Sequence, residues 1–128
     1  MFDTIKLLDL DELGVLDFKI HNTFDSSLHA VKLFDNSYGV SVICICYEIK
    51  PKGLGLNMNF PCGDWEKGTY EVACVVGDDE ETCQFIIQEN LEEEFEEYAM
   101  NGGIIGNQRV PQVKKIMHFV KSLPSRKV

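Results

Sequence analysis

The sequence predicts one α+β domain spanning residues 1–128, an antiparallel sheet of about five or six strands with two C-terminal helices packed on it and a short N-terminal helix. Three observations carry this expectation. The first half alternates apolar and polar residues with a period of two, the last third switches to helical spacing, and no strand–helix–strand alternation or internal repeat occurs. A chain of 128 residues buries roughly two thirds of the surface it exposes unfolded. Its 45% hydrophobic and 26% charged residues match an ordinary globular composition, so a core is within reach without staples.

Residues 2–16 place Ile5, Leu8 and Leu13 at roughly helical spacing behind Asp3 as a candidate cap, although Thr4-Ile5-Lys6-Leu7 also reads as extended. Leu16, Phe18 and Ile20 then alternate with Asp17, Lys19 and His21, as in a half-buried strand. A second strand over 28–34 ends at the turn formers Asp35-Asn36-Ser37. Residues 38–49 are apolar on both alternating faces, with Val40, Val42, Cys44 and Cys46 on one and Ile43, Ile45 and Tyr47 on the other, which puts this strand in the middle of the sheet. Pro51-Lys52-Gly53 and Gly55 break the pattern, and 57–60 reads as a short strand before Pro61-Cys62-Gly63-Asp64 turns the chain. Residues 69–76 and 82–88 flank Gly77-Asp78-Asp79-Glu80-Glu81 as a β-hairpin, in which a four-residue loop would set Cys74 opposite Cys83.

Beyond the hairpin, Leu91, Phe95 and Tyr98 recur at i, i+4 and i+7 among glutamates, so a helix with one apolar face is expected. Asn101-Gly102-Gly103 stops it, and the glycine-rich stretch through Gly106 reads as a flexible connection. The last helix starts near Pro111, carries Val113, Ile116, Met117 and Val120, and ends at Leu123-Pro124.

Little chemistry is written in the motifs. Phosphate-loop, dinucleotide, hydrolase-elbow and zinc-protease signatures are all missing, so no catalytic residue and no cofactor is expected. The five cysteines are an odd number without a secretory leader, which points to reduced, mostly buried thiols. Cys44 and Cys46 are spaced C-x-C and the three histidines are scattered, so no metal site is expected either. No apolar run approaches the roughly 20 residues that span a bilayer, and a cytoplasmic protein is expected.

Charge is more informative. At a net −9, direct partners that are nucleic acids or anionic membranes are disfavoured by repulsion, and cationic partners are favoured. From Gly68 to Gln108 there is no Lys or Arg among many acids, whereas residues 109–128 hold Arg109, Lys114, Lys115, Lys121, Arg126 and Lys127 and no acid. One reading is that the two C-terminal helices lie side by side and partly neutralise each other. The other is that the acidic block is a docking surface, because glutamates at i and i+4, Glu92 with Glu96 and Glu93 with Glu97, repel in a helix and nothing in the fold asks for them. Spaced carboxylates imitate a phosphate backbone, and the expected partner is a basic nucleic-acid-binding protein or nuclease. The candidate partner-binding residues are Asp78, Asp79, Glu80, Glu81, Glu92, Glu93, Glu94, Glu96 and Glu97, with Trp65 either an aromatic anchor or a ring folded back over the sheet. An immunity protein against a cationic nuclease, a small enzyme and an oligomeric structural protein are the competing expectations, with the chain a monomer or homodimer.

Tyr38-Gly39-Val40-Ser41-Val42-Ile43, Gly68-Thr69-Tyr70-Glu71-Val72-Ala73, Gly77-Asp78 and the closing Leu123-Pro124 resemble a family of small, functionally uncharacterised bacteriophage proteins. The resemblance runs from Tyr38 to Pro124 and departs after the hairpin, where that family tends to a threonine-proline-isoleucine-threonine-like turn and this chain has Gln84-Phe85-Ile86-Ile87 and the glutamates. It implies a small phage or mobile-element accessory protein acting inside a bacterial host cell and transfers no functional residues; together with the acidic surface, the leading expectation is a non-catalytic counter-defence protein of the anti-CRISPR kind.

Overall fold

A computed structural model describes residues 5–20, 27–45, 63–100 and 102–124. Strand β1 (Lys6–Asp9) pairs with β2 (Val15–Ile20), β2 with β3 (Ser27–Leu33), β3 with β4 (Tyr38–Ile45) and β4 with β5 (Thr69–Val76), all antiparallel. The far edge of β5 is shared by β6 (Gln84–Phe85) and β7 (Ile104–Arg109). Helices α1 (Glu89–Glu94), α2 (Glu96–Met100) and α3 (Val110–Lys121) complete the chain. The fold is therefore α+β with seven antiparallel strands. The long apolar strand is internal to the sheet as its two-sided pattern requires, and its expected continuation over 46–49 lies outside the described residues. So do the break at 51–55 and the expected strand at 57–60.

Three local expectations are corrected. The N-terminal segment is a strand and a one-turn 3-10 helix (Asp11–Leu13), not an α-helix. An isolated helix that short is marginal in water, whereas four register pairs from Lys6 opposite Phe18 to Asp9 opposite Val15 satisfy its backbone directly. The stretch after α2 is strand β7 instead of a flexible connection, because its paired isoleucines complete the open edge of β5, with Ile105 opposite Val72 and Ile104 opposite Ala73. The hairpin is wider than expected: Val75 faces Phe85 and Val76 faces Gln84, so Cys83 comes opposite Gly77 and does not meet Cys74. A Cβ at Gly77 would lie 2.8 Å from the Cys83 Cα, which makes glycine a steric requirement there.

One face of the sheet holds the core. Phe18, Leu28, Val40, Val42, Cys44, Val72 and Cys74 project onto it and are covered by Leu91 of α1, Tyr98 of α2 and the α3 stripe Val113, Ile116, Met117 and Val120. Four side chains of this size contribute about 1.5–3 kcal/mol each on burial. That burial, far more than surface charge, places α3. Pro111 opens the helix, and the Gln112 side chain accepts the Arg109 N–H at 2.7 Å. Gly102, in the left-handed region at φ 67°, ends α2, and the Gly103 N–H returns to the Tyr98 carbonyl at 2.8 Å. Among the described residues no helix is long and apolar enough to cross a membrane.

The other end of α3 is tied down by one buried side chain. Asn36, in the turn between β3 and β4, donates its amide to the carbonyls of Val120 (2.9 Å), Lys121 (3.2 Å) and Leu123 (2.9 Å), and its oxygen accepts the Tyr38 N–H at 3.0 Å. Val120 and Lys121 are in the last turn of α3, whose carbonyls lack i+4 partners, and Leu123 lies just past it; the Val120 carbonyl also accepts the Leu123 N–H at 3.2 Å. Asn36→Ala removes these bonds from a mostly buried site and is expected to cost about 2–3 kcal/mol, read as a lower urea midpoint at unchanged slope. Asn36→Asp, which turns a carboxylate toward the same carbonyls, is expected to cost at least as much at neutral pH.

Candidate functional site

The acidic block divides into a loop and a helix pair. Asp78, Asp79, Glu80 and Glu81 lie exposed in the loop of residues 77–83, and Glu92, Glu93, Glu94 and Glu96 lie exposed on α1 and α2, with β6 between the two groups. The single glutamate helix expected from the sequence is interrupted at Phe95, whose φ of −122° and ψ of 106° are extended. That break unstacks Glu92 from Glu96 and Glu93 from Glu97, the like-charge pairs that one continuous helix would have aligned. Phe95 packs inward at the break, its ring edge-on to Phe119 of α3 with centroids 5.6 Å apart.

Part of the block has structural work. Asp79 closes the hairpin loop: its carboxylate accepts the Glu81 N–H (2.7 Å), the Thr82 N–H (3.1 Å) and the Thr82 hydroxyl (3.0 Å). The Thr82 hydroxyl foremost, with the two N–H groups, holds the Asp79 carboxyl below the usual carboxylate range. Glu80 reaches across the sheet to accept the Leu33 N–H at 3.2 Å, and Glu97 accepts the Gly106 N–H at 2.6 Å. Trp65 is half-buried, edge-on to Phe18 (5.2 Å) and Tyr70 (6.0 Å), with the Lys6 ammonium 5.5 Å from its ring centroid. Asp78, Glu81, Glu92, Glu93, Glu94 and Glu96 carry no such duty.

The basic residues of α3 do not answer these carboxylates. Lys114 pairs with Asp11 at 2.6 Å and His118 with Glu12 at 3.0 Å, both on the N-terminal 3-10 turn. The hydrogen bond and charge of Lys114 hold Asp11 below its ordinary value, and Asp11 raises Lys114 in return. Arg109 donates to the Lys67 carbonyl at 3.3 Å. Among the described residues no carboxylate of α1 or α2 is in an ion pair.

Among the described residues no helix lies over the sheet face away from α3, and sequence reasoning did not single out any of its residues as a site. A row of register partners crosses it, Lys19 opposite His29, His29 opposite Ile43 and Ile43 opposite Glu71. His29 Nε2 and Ser41 Oγ are 2.6 Å apart and share a hydrogen bond. Glu71 flanks Ile43 from the strand opposite His29, so it does not stand behind the imidazole as the acid of a Ser-His-acid triad does. A hollow of about 410 Å³ lies over this area, floored by Val31, Ile43, Ala73 and Val75 and walled by Phe85 and Ile104. Beside Glu71 the sheet bulges: Tyr70 faces Gln108 and Val72 faces Ile105, leaving Gly106 and Asn107 against one residue of β5. Burial pushes the Glu71 carboxyl up to about 7. The signal in the sequence was a lone carboxylate inside Thr69–Val76, an otherwise uncharged strand.

Compared with family models, curated proteins and solved structures, the chain matches none.

The raised Glu71 pKa has a definite sign. A carboxyl that holds its proton more tightly when folded stabilises the fold below its ordinary value of 4.5, and that stabilisation is lost as pH rises through about 7. Glu71→Gln is expected to melt with the parent near about pH 4 and roughly 2–4 °C above it at about pH 8, a modest gain because solvent still reaches the group. Thermal unfolding by circular dichroism at both pH values checks it. Equal melting temperatures at the higher pH would mean that the carboxylate is fully hydrated.

Proposed function

We propose that this chain is a non-catalytic acidic binding protein of phage or mobile-element origin, a counter-defence protein of the anti-CRISPR kind. It blocks a basic nucleic-acid-handling protein by presenting carboxylates where that protein grips phosphates. The observation that carries this reading is the direction of the ion pairs from α3. Lys114 is directed to Asp11 and His118 to Glu12, and among the described residues no cation pairs with the exposed carboxylates of Glu92, Glu93, Glu94 and Glu96. Among the described residues, ion pairing within the chain therefore does not account for the acidic helices.

Three further features support it. The break at Phe95 spreads the glutamates over two short helices instead of one continuous helix. Exposed surface of one sign accelerates encounter with a partner of the other sign and raises the salt dependence of binding. Asp79 fixes the loop that carries Asp78 and Glu81, which lowers the entropy lost when the loop docks. Asp79, Glu80 and Glu97 belong to the scaffold of this surface, and Trp65 to its packing.

The test uses the intact chain immobilised as bait for bacterial extract. The expected catch is a basic nucleic-acid-binding protein that duplex DNA displaces and added salt releases. Glu92→Lys, Glu93→Lys and Glu94→Lys combined should weaken its binding by about tenfold or more at low salt and flatten the salt dependence, with the melting temperature little changed. Unchanged affinity and salt dependence in the triple variant would sink the charge-mimicry reading. Glu97 is left out of the set because its carboxylate holds the Gly106 N–H.

A further inference from the structure

The face of the sheet away from α3 is built differently from the acidic helices. Its hollow of about 410 Å³ lies in the size range of small-molecule sites, and it combines an apolar floor with a few polar groups that converge on it. Those polar groups fall at two places. On one side is the hydrogen-bonded pair His29 and Ser41. On the other is Glu71, half-buried beside the β7 bulge, whose side chain has no hydrogen bond or ion pair among the described residues.

Register sets the distance between them. His29, Ile43 and Glu71 occupy three adjacent strands, so the two polar stations are roughly two strand spacings, or about 10 Å, apart across an apolar floor. The cation that shares this row, Lys19, lies one strand beyond His29, on the side away from Glu71. Glu80 and Glu81 add negative charge at the rim of the same hollow. A partly buried carboxylate without a counter-charge is an unmet electrostatic demand, which its upward pKa reflects.

We propose that this hollow is a binding site for a small aryl-alkyl amine: the ammonium pairs with Glu71, the ring lies over Ile43 and Ala73, and a hydroxyl at the far end reaches the His29–Ser41 pair. Each part of the ligand answers one part of the wall. An anion is rejected by Glu71, Glu80 and Glu81, and a purely apolar ligand leaves the Glu71 carboxylate desolvated and unpaired. The site shares no residue with α1 or α2 and meets the docking surface only at Glu80 and Glu81 on its rim, so variants at Glu71 and Ser41 test it separately.

Tyramine is the probe, because it carries an ammonium, a ring and a phenol in that order. Tyrosol, which replaces the amine by a hydroxyl, and 4-hydroxyphenylpropionate, which replaces it by a carboxylate, are the controls. In ¹H–¹⁵N correlation spectra of the whole chain at about pH 8, tyramine should shift the amides of His29, Ser41, Ile43, Glu71 and Ala73 saturably. Its affinity should exceed that of tyrosol by about tenfold, the gain expected from one charge-assisted contact, and the propionate should not bind. Glu71→Gln, an uncharged replacement of similar shape, should erase the preference of amine over alcohol while leaving the spectrum folded. Ser41→Ala should weaken tyramine and tyrosol alike. Equal binding of amine and alcohol by the parent chain, shifts confined to α1 and α2, or a concentration-dependent dimer that protects this face would each overturn the proposal.

Discussion

Asn36 is the point on which the arrangement of layers depends. Its side chain bonds the carbonyls of Val120, Lys121 and Leu123 and the N–H of Tyr38, so one amide fastens the last turn of α3 to the start of the central strand β4. The same turn reaches the acidic loop, because the Ser37 carbonyl accepts the Gly77 N–H at 3.0 Å. Hydrophobic burial would hold α3 somewhere on the sheet, but it is non-directional. The Asn36 bonds are directional, and they settle where along β4 the helix ends. Once α3 is fixed there, its basic side is carried to the N-terminal turn, where Lys114 meets Asp11 and His118 meets Glu12.

That placement decides the electrostatics of the molecule. The acidic and basic blocks are adjacent in sequence, and adjacency alone would let them neutralise each other. In the fold, β7 separates α2 from α3 and hydrogen-bonds along β5, with Thr69 opposite Arg109. The basic helix therefore answers carboxylates about a hundred residues earlier in the chain, and the acidic helices keep their charge toward solvent. Exposed pairs such as Lys114–Asp11 add little to stability, typically under about 1 kcal/mol. Their consequence is in what they leave unpaired.

Period and charge were legible in the sequence, and long-range pairing was not. The alternation of Leu16, Phe18 and Ile20, the two-sided apolar run that became β4, and the stripe Val113, Ile116, Met117 and Val120 each specify one element, because a period of two or of 3.6 has one structural meaning. The N-terminal segment failed this test: Ile5, Leu8 and Leu13 mimic helical spacing, but in the strand Leu8 turns to the core while Ile5 and Leu7 stand exposed at 62% and 64%. Strand β7 was hidden by glycines, whose signal of looseness is overridden when an edge strand offers unpaired backbone groups. The width of the hairpin was set by the Asp79 cap, a contact that composition does not reveal. Of the candidate site, the carboxylate surface could be read directly; which carboxylates are committed to backbone N–H groups could not, because Leu33 and Gly106 come close to Glu80 and Glu97 only through the sheet.

Among the described residues helices cover the sheet on one side only, which has a consequence for the other side. Antiparallel sheets tolerate water on one face when that face is polar. Here it is mixed, with Val31, Ile43, Ala73 and Val75 around a carboxylate, a serine and a histidine. Solvation alone would favour more charge in the centre of that face, and packing alone would favour none. A half-buried carboxylate is held in this face, next to a bulge that interrupts the ladder at that residue. Strand regularity and the carboxylate's hydration are both given up at Glu71, in one place and on one face. Stability gains from neither loss, so the coincidence points to a chemical use of that carboxylate, distinct from the surface charge that α1 and α2 display.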